Sequence, residues 1–437
     1  MKSVPTKPMP TPRVPVIREI QIEKIAPGGQ GVAFVDDAGE RRAIFVPLAA
    51  PGDLVRVEID FAQKPARGTL LTVVKPGAAR VAAACAVATR CGGCDFMHLD
   101  HQAQRAAHEA MLRESLPASS RAMAVVVHAP TAPLAYRTRA RLHLRFGKRN
   151  EVGFLGARSH DVVEAPRCLV LSPSLEAMRA RLPSWLAGAK GKGEARLALG
   201  AYPSRAPVVD FTFSGELPPS FFAALERAVA TGELAGARVL EEGAKRPATF
   251  GDPSPWIMAA DGAPIRLAPG GFGQASDDGN AMLGARVMQL ASPLISEASP
   301  VVELFSGAGN FTVALAARTS KLVAVESDAD ACEAARANLA QRKLKAKVTT
   351  ADANRFPLPR GLRLVVLDPP RTGAREACTA IVLSRAEHVL YVSCDPPTLG
   401  RDLAVLEAGG YVPQSIDLFE LFPQTSHVET VVLLSKA

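Results

Sequence analysis

The sequence predicts an α/β protein in three parts, ending in a doubly wound parallel sheet. Three observations predict it. From residue 299 onward, apolar runs of four to six residues alternate with helical patterns, as strand–helix–strand units require. The first of these runs, Val301–Phe305, ends in a glycine turn, Ser306-Gly307-Ala308-Gly309-Asn310, where such sheets hold nucleotide-like ligands. Ahead of that region lie short β-like runs over residues 16–75 and a cysteine-rich stretch at 85–94. A length of 437 residues suits two to four domains.

Composition narrows the function classes. With 48% apolar and 22% charged residues the chain has an ordinary globular balance, and no apolar run reaches the roughly 18 residues of a membrane span. Residues 1–15 hold five prolines and no apolar core, which argues against a secretory signal and for a flexible tail. A formal charge of +8 favours a polyanionic partner. Seven cysteines without a secretory signal argue against a disulfide framework. A cytoplasmic monomer is expected.

Residues 16–78 read as a small β-barrel. Val16–Ile25 alternates, and Val32–Val35, Arg42–Val46, Leu54–Ile59 and Gly68–Val74 follow as short strands. Gly28-Gly29-Gln30-Gly31 and Pro51-Gly52-Asp53 supply the turns. Five short strands in about 60 residues fit a barrel of the oligonucleotide-binding kind.

Residues 79–270 read as an α+β domain. Cys85, Cys91 and Cys94 are spaced Cys-x5-Cys-x2-Cys around Gly92-Gly93, and Cys168 in Ala165-Pro166-Arg167-Cys168 is the natural fourth thiol. Four soft thiolates suit zinc or an iron–sulfur cluster, and ligand count does not separate the two. An amphipathic helix is expected over 101–116. In Tyr136–Phe146 charge alternates with period two, which on a strand sets Arg137, Arg139, Arg141, His143 and Arg145 on one face and Leu142, Leu144 and Phe146 on the other. A one-sided arginine row suits RNA phosphates, which guanidinium groups bind bidentately. Helices at Ser174–Leu182 and Pro219–Thr231 and a strand at Glu194–Leu199 complete this part.

Residues 271–437 carry the chemistry. Gly307 and Gly309 open the first turn, and Thr312 stands where a dinucleotide fingerprint would place its third glycine. Glu326 ends the second strand, where an acid can bind ribose hydroxyls, and Asp352 follows the third. That combination is the usual look of an S-adenosylmethionine (SAM) site. His388–Val392 reads as a buried strand whose end, Ser393-Cys394-Asp395-Pro396-Pro397, exposes a thiol at the ligand edge of the sheet. Asp368-Pro369-Pro370-Arg371 ends Leu364–Leu367, and Thr425-Ser426-His427-Val428-Glu429 comes near the chain end. A thiol, a fixed carboxylate and a late glutamate suit covalent chemistry on a polarised ring.

Together these residues resemble the uracil-5 RNA methyltransferases, in particular the group with a TRAM domain and a [4Fe–4S] cluster that modifies large-subunit ribosomal RNA. The resemblance runs from residue 16 onward on Cys-x5-Cys-Gly-Gly-Cys, the glycine turn, Asp-Pro-Pro-Arg, Ser-Cys-x-Pro and Thr-x-His-Val-Glu. The turn clusters of residues 16–75 carry the TRAM likeness. The resemblance implies that Cys85, Cys91, Cys94 and Cys168 bind the cluster. It implies that Gln274, Phe305, Asn310, Glu326, Asp352 and Asp368 surround SAM and the target base, with Cys394 as nucleophile and Glu429 as base. The implied substrate is 23S ribosomal RNA; transfer RNA, another ribosomal position, or a non-catalytic cluster protein that binds RNA are the alternatives. Two residues depart from the family pattern: Asp395 and Ser276 stand where asparagine is usual. Asp395 matters more, because a carboxylate beside a thiol disfavours the thiolate.

Overall fold

The computed structural model describes residues 15–437 apart from Ala38 and Thr131. The expected tail over 1–15 therefore lies outside the described residues except for Pro15. None of the described helices is long and apolar enough to cross a membrane.

The first six strands form one sheet, in spatial order Val16–Gln21, Leu54–Asp60, Ala66–Lys75, Glu40–Val46, Gly31–Asp37, Lys24–Ile25. Period-two burial drives it: Val55, Val57 and Ile59 point inward while Arg56 and Glu58 face out. The expected single strand over Val16–Ile25 is two strands. The break falls at Ile22-Glu23, where the Ile22 amide turns to the Asp53 carbonyl at 2.9 Å. Buried Asp53 fixes the neighbouring turn by accepting from the Ala50 amide at 2.7 Å, the Gly77 amide at 2.9 Å and Arg80 Nη2 at 2.6 Å.

The middle of the chain builds a seven-stranded sheet in the order Val162–Val163, Glu151–Leu155, Arg139–Phe146, Lys190–Leu199, Pro207–Glu216, Gly236–Glu241, Ala248–Gly251. Its inner face carries Leu142, Leu144 and Phe211, covered by helices Pro173–Trp185 and Pro219–Ala230.

The last sheet is the doubly wound one. Its strands are β1 (Val301–Leu304), β2 (Leu322–Glu326), β3 (Lys347–Thr350), β4 (Leu364–Leu367), β5 (His388–Ser393), β6 (Tyr411–Phe419) and β7 (Glu429–Lys436). They lie in the order β3-β2-β1-β4-β5-β7-β6, parallel through β5 and antiparallel at β7. β1 and β4 are buried throughout, as strands covered on both faces must be. An eighth strand comes from far upstream: Val125–His128 pairs parallel with β6, and helix His101–Ser115 packs on Pro396–Ala408. The anchor is buried Asp417, bound by His128 Nε2 at 2.8 Å and by Arg286 Nε at 2.8 Å.

Candidate active site at the strand ends

β5 and β7 run antiparallel and their pairing ends with Ser393 opposite Thr430, so Cys394 and Glu429 are the next residue on each chain at that edge. β4 delivers Asp368 beside them, since Leu367 pairs with Tyr391 one step earlier. Two prolines stop β5 and start helix Pro396–Ala408, which Asp395 caps. The predicted thiol, aspartate and glutamate are thus brought together.

Electrostatics there is dominated by burial. Burial pushes the Cys394 thiol up to about 12, helped by nearby Glu429 and Asp368, while the Arg371 guanidinium works the other way. Burial also lifts Asp368 to about 7 and holds Glu429 well above the ordinary carboxylate range. Glu429 is 3% exposed, and its Oε2 has no hydrogen-bond partner. Arg371 Nη2 and His427 Nε2 lie 3.2 Å apart, and burial together with Arg371 keeps His427 below the usual imidazole range. Arg371 closes the Asp-Pro-Pro-Arg motif, yet nothing in the sequence marks it as the cation facing this acidic group.

The glycine turn lies on the same edge. Phe305 has φ +61° and Gly307 φ +53°, and a Cβ on Gly307 would meet nothing within 4 Å, so the backbone is open to a ligand. Glu326 Oε2 accepts the Gly307 amide at 3.0 Å, tying the acid of β2 to the turn. Asn310 exchanges amide hydrogen bonds with Asn280 at 2.9 and 3.1 Å. Asn280 is buried and was not visible as a site residue, because its partner is 30 positions away. Gly309 completes the turn at φ +94°. Gln274 is buried in a segment pinned to the middle domain, where the Thr138 amide donates to the Ala275 carbonyl at 2.8 Å. Asp352 is exposed past the end of β3 and accepts the Asn354 amide at 2.9 Å.

The four cysteines also converge. Cys85, Cys94 and Cys168 pack on one apolar patch with Met97, Tyr136 and Val170, and Cys91 joins Cys85 against Val87 and Val163. All four thiols are free. Burial pushes Cys94 up to about 12 and holds Cys91 and Cys168 high, while Arg137 lowers all three. Gly93 donates its amide to Cys91 Sγ at 3.4 Å. Among the described residues, no three His, Cys, Asp or Glu groups stand where one metal ion would hold them.

The arginine row divides. Arg141 is exposed and Arg145 partly so, 3.8 Å separating Arg141 Nη1 from Glu194. Arg139 is held under the 270–273 loop, donating to the Gly271 carbonyl at 3.2 Å, and burial lowers its pKa to about 10. Arg137 precedes the strand altogether and stands over the Phe422 ring at 5.9 Å, beside the cysteines.

Comparison with known proteins agrees with this architecture. A family model described as tRNA (Uracil-5-)-methyltransferase matches residues 361–437, and one described as Methyltransferase domain matches 301–368. The chain is 32% identical to a 23S rRNA (uracil(1939)-C(5))-methyltransferase of Pseudomonas putida, over 97% of this chain and 95% of that protein. It is 30% identical to the similarly named protein of Halomonas elongata, over 95% and 89%. A solved tRNA (uracil-54, C5)-methyltransferase from Pyrococcus abyssi, in complex with S-adenosyl-L-homocysteine, superposes with TM-score 0.74 at 21% identity, covering 95% of this chain and 100% of that one.

Proposed function

Because the chain belongs to the RNA uracil-5 methyltransferases, we propose that it methylates C5 of a uridine in 23S ribosomal RNA through a covalent Cys394–C6 adduct. One observation carries the adduct reading: Cys394 and Glu429 each lie one residue beyond the paired Ser393 and Thr430 of adjacent strands and are near enough to affect each other's charge, and among the described residues Glu429 Oε2 is buried with no partner. A buried carboxylate oxygen left unpaired is costly unless a reacting group uses it. The ribosomal reading is supported by end-to-end similarity to proteins named for that substrate; a transfer RNA uridine is the competing substrate.

The residues divide the work. C5 of uracil is a poor nucleophile, so Cys394 adds to C6 as thiolate and the ring electrons move onto O4 as an enolate. Arg371 favours that thiolate against the nearby acids. Asp368 holds the ring edge by hydrogen bonding. Bound SAM supplies an electrophilic methyl group to C5. Glu429 then takes the C5 proton, its electrons restore the C5–C6 double bond, and the C6–S bond breaks to free Cys394. For SAM, the open backbone at Gly307, Glu326 beside it, and Gln274, Phe305, Gly309, Asn310, Asp352 and Asp368 along the same edge are the proposed binding residues. The base must leave its stack to reach a strand end. The TRAM-like first domain and Arg141 and Arg145 are proposed to hold the flanking backbone, with Arg137 and Arg139 supporting that strand and the adjoining 270–273 loop from beneath rather than meeting phosphate themselves.

Cys85, Cys91, Cys94 and Cys168 are proposed to hold a [4Fe–4S] cluster. Four free, half-buried thiols with an amide donating to one sulfur suit a soft metal group. Ligand type and number alone do not separate such a cluster from a single zinc; iron and sulfide content does.

Glu429→Gln tests the reaction. It should accumulate a covalent protein–RNA adduct that already carries the methyl group, with release slowed about 10²–10⁴-fold. Cys394→Ala and the double variant should give none. Release at the parent rate, or a stall without methylated adduct, would remove Glu429 from the role and leave His427 as the candidate.

A further inference from the structure

The connection between β6 and β7, Glu420 to Val428, carries His427 and leads directly into Glu429. Beside the local turn in which the Thr425 amide donates to the Phe422 carbonyl at 3.2 Å, its backbone is held by residues from far upstream. The Gln424 carbonyl accepts the Phe96 amide at 2.9 Å, and the Pro423 carbonyl accepts Tyr136 Oη at 3.0 Å. His108 Nε2 lies 2.8 Å from the Thr425 carbonyl and Nδ1 3.0 Å from Glu420 Oε1. Gln104 Oε1 accepts the Gln424 amide at 2.9 Å, and its Nε2 donates to Gln424 Oε1 at 3.1 Å. The tie nearest the reacting groups is the Ser426 amide, which donates to Asp95 Oδ1 at 2.7 Å. Asp95 is walled in by the first domain, for a Cβ on Gly29 would lie 2.5 Å from its Oδ2 and 2.8 Å from Ser426 Cβ. Asp95 also follows Cys94 directly in the chain.

We propose that Asp95 is a positioning residue for proton removal: by holding the Ser426 amide it sets where Glu429 meets the C5 proton. This rests on the assignment of proton removal to Glu429. The argument is geometric. Glu429 begins a strand whose later residues are fixed by pairing with β5 and β6, whereas in the segment before it the local bonds are few (the Thr425 amide to the Phe422 carbonyl at 3.2 Å, the His427 amide to Thr425 Oγ1 at 3.3 Å), and the Ser426 amide is held by Asp95. A displacement of about 1 Å at a base can cost on the order of 10²-fold in rate. The cysteine loop, the first domain and the catalytic edge are thereby joined through one carboxylate.

The test uses full-length Asp95→Ala and Asp95→Asn, substrate RNA and SAM in single-turnover mixtures, scoring methylated adduct against released product. Hydrogen exchange of the 420–428 amides is followed in parallel. Asp95→Ala should build methylated adduct, slow release roughly 10–100-fold and speed exchange at Ser426. Asp95→Asn keeps an accepting Oδ1 and should restore both. Gln104→Met, which removes the Gln424 hold by a different side chain, should shift the partition the same way and serves if Asp95→Ala does not fold. An Asp95→Ala protein with the parent partition, or with adduct formation and release depressed in equal proportion, overturns the proposal when Glu429→Gln in the same assay traps its adduct. A Glu429→Gln protein that traps nothing overturns the assignment beneath it and the proposal together.

Discussion

Asp395 Oδ1 accepts the Thr398 amide at 2.9 Å, so the carboxylate next to the Cys394 thiol, the proposed nucleophile, is also the cap of the helix that follows. An asparagine oxygen can make the same bond. Asp395→Asn should therefore keep the helix while removing one of the charges that hold the Cys394 thiol high, after burial, Glu429 and Asp368. Because the proposed addition to C6 needs the thiolate, the rate should climb with pH, and the substitution should move that climb to lower pH. A gain of roughly two- to tenfold in kcat/KM near pH 7 is expected, read from a pH–rate profile of both proteins.

Stability should fall as pH rises. Burial lifts Glu303 from an ordinary 4.5 to about 8 and Asp368 from 3.8 to about 7. The folded state thus binds protons that the unfolded chain has already lost between those values, and stability declines as pH rises, from about pH 4.5 to 8 for Glu303 and about 4 to 7 for Asp368, by on the order of 1 kcal/mol per pH unit for each. Glu303 accepts Thr312 Oγ1 at 2.6 Å, a bond that glutamine can keep. Denaturant melts of Glu303→Gln at several pH values should show a flatter decline than the parent.

Arg141 and Arg139 should behave differently although two positions apart. Arg141→Ala should weaken RNA binding and lower the log–log salt slope by roughly 0.7–0.9 for each phosphate that the side chain neutralises in the parent. Arg139→Ala removes the support under the Gly271–Gly273 loop that leads to Gln274, so its effect should appear in SAM affinity with little change in salt slope. Titrations of RNA and of SAM against both variants separate the two outcomes.

Anaerobically prepared protein should contain about four iron and four sulfide per chain. Cys94→Ser should lower both and bleach the visible absorption. A colourless protein holding one zinc would assign the cysteines to a structural ion instead.

The placement of the proposed catalytic residues was legible because they sit at strand ends that periodicity reveals. Cys394, Asp368 and Glu326 each follow an apolar run, and the sheet then has to bring their edges together. Period-two alternation extends the arginine strand back through Thr138 to Arg137, whereas the strand starts at Arg139. What stops it is the pairing of Arg137 with Leu171 and Ser276, both distant in sequence. Asn280, Asp95 and Gln104 were illegible for the same reason. The partners that place them at the site, Asn310, Ser426 and Gln424, are 30 to 331 positions away, and nothing local distinguishes them from ordinary polar surface. The split of the first strand at Ile22 likewise depends on Asp53, which only tertiary structure brings near.

The eighth strand of the last sheet has a consequence for how the chain comes to be made. His128 meets Asp417 across 289 positions, so Val125–His128 leaves the ribosome long before its partner exists. Until β6 is synthesised, a short apolar segment with an unpaired backbone must wait beside a growing chain, a state open to wrong pairing. Closing a loop of that length also delays the productive contact relative to local ones. The proposed reactive edge, with its holdfasts at Asp95, Gln104 and His108, is completed only once residues 424–429 have been synthesised.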